Sequence, residues 1–143
     1  MTHPGISRFR FAILAILALC SAATLAAQER VRLHLEEGKS GAVWDIALSP
    51  DGNTLYSCGR DSTAKSWNLG TGECIRVFRT GKPTLVTALA LDYTGSYLAL
   101  GDMNGRLSLW NARSGVLYYE FEAHAQYITD VAIAPDGGTV ITA

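Results

Sequence analysis

The chain has 143 residues, 48% of them hydrophobic and 17% charged, and a formal net charge of −1. That length accommodates one domain with a real core, and the composition excludes a disordered or low-complexity chain. Lys and Arg are scattered singly, so the basic footprint of a nucleic-acid binder is missing and nucleic acid is not an expected partner.

In chain order, the first segment stands apart. MTHPGISRFR carries Arg8 and Arg10 but no acid, FAILAILALCSAATLAA is uncharged, and QER turns polar. A basic start, an apolar stretch and small residues before the break predict a secretory signal peptide over residues 1–27, an apolar helix. The expected location is therefore outside the cytoplasm, periplasmic or extracellular. Two rival readings hold the chain at a membrane. One is an uncleaved anchor, because residues 11–27 lie at the short end of a bilayer span. The other is lipidation of Cys20, within Leu17-Ala18-Leu19-Cys20, which resembles a bacterial lipobox. Cleavage would leave ten basic against thirteen acidic side chains, and Cys58 and Cys74 as the remaining cysteines. These two fall on strands that are not neighbours, so two buried free thiols are expected rather than a disulfide.

Beyond this segment the chain repeats itself. A shift of 43 sets Gly38-Lys39 on Gly81-Lys82, Val43 on Val86, Ile46 on Leu89 and Leu48 on Leu91. The register continues through Gly52 on Gly95, Trp67-Asn68 on Trp110-Asn111, Gly72 on Gly115 and Phe78 on Phe121. A further shift of 42 brings Ile128, Val131, Ile133 and Gly137 into line. Each unit reads as short strands between turns. The first runs VWDIAL, TLYSCG, TAKSWNL and CIRVF; the second runs VTALAL, SYLALG, RLSLWNA and VLYYEF. Pro50 presets the bend of SPDG and Gly52 tolerates positive φ there. Four strands at a period of about 40–45 residues predict all-β propeller blades, four antiparallel strands each. One blade cannot bury both faces alone, which is the physical reason for repetition.

These units resemble the WD40 repeat family over about residues 31–143. SPDG at 49–52 and APDG at 134–137 match the family's turn, and Trp67-Asn68 and Trp110-Asn111 stand where it closes with Trp-Asp. The name-giving pair is thus not Trp44-Asp45. The resemblance implies a partial propeller over residues 28–143. In it, residues 31–35 form the fourth strand of a closing blade, 38–80 and 81–122 are blades, and 123–143 begin another. Such a ring is incomplete, since propellers have about 4–8 blades. A truncated chain is the expectation, with an oligomer that completes the ring as the rival.

The family's hydrogen-bond chain within a blade, carried over by register, falls on Ser57, Asp61 and Trp67 in the first blade, with Lys39 in place of His. In the second it falls on Asn104 and Trp110, with Lys82 and Leu100 replacing His and Ser. The third unit offers His124 and Thr142. Because buried networks help only when complete, packing is expected to carry both full blades. No zinc spacing, haem motif, phosphate loop or nucleophile elbow occurs, so no cofactor, metal or catalytic residue is expected. Asp51, Asp92 and Asp136 each follow a first strand, where turn chemistry explains them.

The family resemblance puts the partner-binding surface at Ala42, Trp44 and Arg60, at Leu85, Thr87 and Met103, and at Tyr127 and Thr129. Trp, Tyr, Met and Arg are types enriched at interfaces. The expected function is a non-enzymatic scaffold for a protein or peptide partner. The alternative is the N-terminal part of a longer enzyme or cofactor-bearing protein.

Overall fold

The computed structural model describes residues 41–143, so the expected signal segment, the strand at 31–35 and Lys39 lie outside the described residues. Four strands make a first blade: β1 (Val43–Leu48), β2 (Thr54–Gly59), β3 (Thr63–Asn68) and β4 (Cys74–Arg79). A second blade follows with β5 (Val86–Leu91), β6 (Tyr97–Asp102), β7 (Arg106–Asn111) and β8 (Leu117–Glu122). β9 (Val131–Ile133) and β10 (Val140–Thr142) pair as the start of a third. Each blade is a strict meander with every neighbouring pair antiparallel. The strand edges fall within a residue or so of those read from the sequence.

Turn chemistry explains the punctuation. Gly52, Gly95 and Gly137, which share one register position, have φ of 70°, 69° and 69°. The preceding acids tie each turn together, as expected. Asp51 Oδ1 accepts from Ser49 Oγ and the Asn53 amide, and Asp136 Oδ1 from the Gly138 amide. Asp92, buried at 3% exposure, accepts the amides of Thr94, Ser96 and Tyr97 and the Thr94 hydroxyl.

The core is built between blades. Side chains alternate across a strand, so successive residues of β6 serve opposite neighbours. Leu98 and Leu100 join Tyr56, Cys58, Ala64 and Phe78 of the first blade, together with Val86, Leu89 and Trp110. Ala99 turns the other way, into a second cluster with Ala88, Leu107, Ile128 and Val131. Gly101 shows how close that second contact is. A Cβ there would stand 2.5 Å from Ile128 Cγ2, so no larger residue fits. Aromatic rings seal the first interface, with Phe78 edge-on to Trp110 at 5.8 Å and tilted against Tyr56 at 6.3 Å.

The thiol expectation needs correction. Cys58 is buried and free, but Cys74 is free and exposed. Cys74 opens β4, an edge strand of its sheet, directly after the β3–β4 turn. The repeat also explains an exposed apolar face. Val43, Ile46 and Leu48 are 55%, 59% and 58% exposed. Their register equivalents Val86 and Leu89 are buried and Leu91 half-buried beneath the first blade.

Candidate interaction surface

At one end of the strands lie the starts of β1 and β5 and the β2–β3 and β6–β7 turns. Register shifts there between Val43 and Asp45, and between Val86 and Ala88, place Trp44 and Thr87 at β-bulges. A bulge inserts a residue whose side chain is re-aimed away from the ladder. In the third unit the amides of Thr129 and Asp130 both point at the Ala143 carbonyl, two residues opposing one in the same manner.

The flanking acid uses the bulge to join the blades. Asp45 Oδ1 accepts the Ile46 amide, and Oδ2 reaches across to the Leu89 amide of the second blade at 2.8 Å. Thr87 joins the next pair, its hydroxyl lying 2.5 Å from the Ile128 carbonyl and 3.2 Å from that of Gly101. Sequence reasoning gave neither residue this bridging role, because both bonds cross between repeats.

The eight expected surface positions therefore divide. Trp44, Met103 and Tyr127 are 41%, 44% and 53% exposed. Ala42, Arg60 and Thr129 are also exposed. Ala42 and Arg60 are held together, the Arg60 amide donating to the Ala42 carbonyl at 3.0 Å. Leu85 and Thr87 are half-buried. The Leu85 carbonyl accepts the Met103 amide, and the Thr87 hydroxyl is committed to the blade bridge. The Thr129 hydroxyl donates to the Ala143 carbonyl. What reaches solvent with free chemistry is an arc of Trp44, Arg60, Met103 and Tyr127.

Beneath it lie the internal networks. In the first blade the Trp67 indole donates to Ser57 Oγ at 2.9 Å. Asp61 accepts the amide and hydroxyl of Thr63 and pairs with Lys65 Nζ at 2.5 Å. Burial alone would raise the Asp61 carboxyl, but the bonds from Lys65 and Thr63 outweigh it and hold the pKa below the usual value. In the third unit His124 Nε2 and Thr142 Oγ1 meet at 2.7 Å. The second blade departs from expectation. Trp110 donates to Ser108 Oγ, two residues back on the same strand, at 2.9 Å. Asn104 is exposed and supplies only an amide; the carboxylate that organises its turn is Asp102, 1% exposed. Asp102 Oδ1 accepts the amides of Asn104 and Arg106. Leu100 fills the vacated serine position as a core residue, 1% exposed.

This arrangement holds side chains in place rather than activating them. Ser57 Oγ accepts the Trp67 indole N–H, and His124, the one imidazole among the described residues, belongs to a different unit. Among the described residues, no three His, Cys, Asp or Glu side chains gather as metal ligands, and no helix is long and apolar enough to cross a membrane.

Stacked four-stranded antiparallel blades at this repeat define the β-propeller class of fold. A family model described as "WD domain, G-beta repeat" matches residues 30–68, 72–111 and 115–143, and the chain belongs to the WD40 repeat family. The matched unit at residues 72–111 thus spans β4 of the first blade and β5–β7 of the second. Among similar proteins, rat "Apoptotic protease-activating factor 1" is 29% identical over 112 residues, covering 72% of this chain and 9% of that protein. "Eukaryotic translation initiation factor 3 subunit I" of Aspergillus fumigatus (strain CBS 144.89) is 37% identical over 67 residues, 47% of this chain and 19% of that one. The structure described as "Crystal structure of RRP9 WD40 repeats" superposes with a TM-score of 0.70 at 21% identity, covering 76% of this chain and 34% of that one. That likeness shows the fold. The chain thus spans under a fifth of the length of these two relatives.

Proposed function

We propose that this chain is a non-enzymatic scaffold that binds a protein or peptide outside the cytoplasm, through the arc of Trp44, Arg60, Met103 and Tyr127. The observation that carries the reading is the bulge at Trp44. It turns a large aromatic to solvent at the position where the other units hold Thr87 and Thr129, both tied down internally. Large aromatics, Met and Arg in one exposed arc are the anchor types of protein interfaces. The relatives' names are consistent with assembly roles, one being a subunit of a translation factor. Export rests on the pattern of residues 1–27, with the basic start and apolar stretch of a signal peptide.

Affinity capture from periplasmic extract tests the reading, comparing the wild type with a Trp44→Ala, Tyr127→Ala variant. The variant is expected to lose specific partners while retaining its fold. Identical profiles would remove the proposed face. N-terminal sequencing of the exported product tests the location: a start near residue 28 supports it, and retention of Met1 in the cytoplasmic fraction contradicts it.

A further inference from the structure

At the opposite end of the strands, a cleft of about 300 Å³ opens between the two complete blades. One wall is the β1–β2 turn with Pro50 and Asp51. The other is Gly95 of the β5–β6 turn and Arg113 of the β7–β8 turn, and Tyr56 lies between them. We propose that this cleft binds an acidic side chain of an extended peptide, independently of the Trp44 face.

Several features favour that occupant. The floor is fixed, because the Tyr56 hydroxyl crosses the blade boundary to the Ala112 carbonyl at 3.4 Å and its ring packs on Phe78. Opening depends on Gly95, since a Cβ there would press on Pro50 Cδ at 3.0 Å. Positive charge gathers on one side. Arg113 is exposed, and the Arg76 side chain lies over Gly115 of the same turn. Among the described residues, neither guanidinium has an ion-pair partner, and Arg76 Nε is buried without a hydrogen bond. At Tyr56 burial, with the Asp51 charge adding to it, outweighs the Arg113 and Arg76 charges and raises the phenol pKa.

The opposite wall supplies an acceptor. Ser49 and Asn53 both bind Asp51 Oδ1, leaving Oδ2 uncommitted among the described residues. A peptide fits both walls. Its carboxylate meets Arg113 and a backbone N–H meets Asp51, with side-chain methylenes on Pro50 and the Tyr56 ring. Inorganic phosphate has no methylenes to lie on Pro50 and the Tyr56 ring, and its second negative charge would face Asp51. Charge-assisted bonds to guanidinium are the strong ones available here.

The test is amide chemical-shift titration of the full chain with three probes: acetyl-Ala-Glu-Ala-amide, acetyl-Ala-Gln-Ala-amide and inorganic phosphate. The Glu peptide is expected to move amides of residues 51–54, 95 and 113–115. The Gln peptide, and the Glu peptide on Arg113→Gln, are each expected to bind roughly tenfold or more weakly, the worth of one hydrogen bond to a charged group. Arg113→Lys is expected to recover part of the loss, and Trp44→Ala to change nothing. Arg113 is exposed, so unmoved amides elsewhere verify folding. Equal binding of Glu and Gln peptides, phosphate binding as tight at the same amides, indifference to Arg113→Gln, or no shift at all would each overturn the proposal. Failure of the Trp44 face would leave this result untouched.

Discussion

Phe78 and Phe121 hold the same place in successive repeats, yet one is 1% and the other 53% exposed. Replacing Phe78 with Ala removes a ring wedged between Tyr56 and Trp110, at centroid distances of 6.3 and 5.8 Å. The lost transfer energy is about 1.5–3 kcal/mol, and the residual cavity brings such substitutions to about 3–5 kcal/mol. The aromatic pairs lie within that total. With a urea slope of about 2 kcal/mol/M, the midpoint should fall by about 2 M, a large part of the stability of a small domain. Phe121→Ala should cost about 1 kcal/mol or less, since more than half of that ring is already in water. Urea unfolding followed by Trp fluorescence reads both, and Phe78→Leu supplies a milder step if Phe78→Ala does not fold. Equal midpoint shifts for Phe78→Ala and Phe121→Ala would refute the assignment of the core to the face between the blades.

Three further outcomes follow from single residues. Ser62 has φ of 62° where the second blade's turn uses Gly105 at 74°, so Ser62→Gly should stabilise the fold by about 0.5–1 kcal/mol in the same unfolding assay. For Asp92, burial raises the pKa, but the bonds from Thr94, Tyr97 and Ser96 outweigh it and lower the value overall; Asp61 is lowered in the same sense. Depressed carboxyls stabilise above the ordinary value of 3.8 and lose that contribution as the pH falls through their folded values. Urea midpoints should therefore drop between about pH 5 and pH 2, and Asp92→Asn should flatten that drop. Burial, with the Asp45 charge adding to it, pushes the Cys58 thiol up to about 12. Peptide mapping after brief iodoacetamide treatment should find Cys74 labelled and Cys58 labelled only in denaturant.

Much of this fold was legible because it repeats. Hydrophobic positions such as Val43 and Val86 recur in register, and glycines at 52, 95 and 137 mark turns that need positive φ. The Trp67–Ser57 and His124–Thr142 bonds join residues that the family resemblance had set at network positions. The second blade was less legible, because Ser108 replaces a partner from the adjacent strand with one on the tryptophan's own strand. Residues i and i+2 share a strand face, so that bond satisfies the indole equally well. Asp102 took over the turn from two residues before Asn104 for a similar local reason. Exposure at Cys74, and the bridges from Asp45 and Thr87, depend on which blade lies against which. A single repeat does not encode that. Trp44 and Thr87 share a bulge position, and register alone grouped them; Trp44 stays exposed, whereas the Thr87 hydroxyl is consumed by the next unit.

The central claim is that partners meet the arc at the bulged strand ends. Site-specific photo-crosslinking tests it most directly, with a benzophenone side chain placed in turn at Trp44, Met103, Tyr127 and Tyr119. Tyr119 is 67% exposed on the outer strand of the second blade and serves as the comparison. The account predicts the same crosslinked partner from positions 44, 103 and 127 and none from 119. Capture from 119 alone would contradict it.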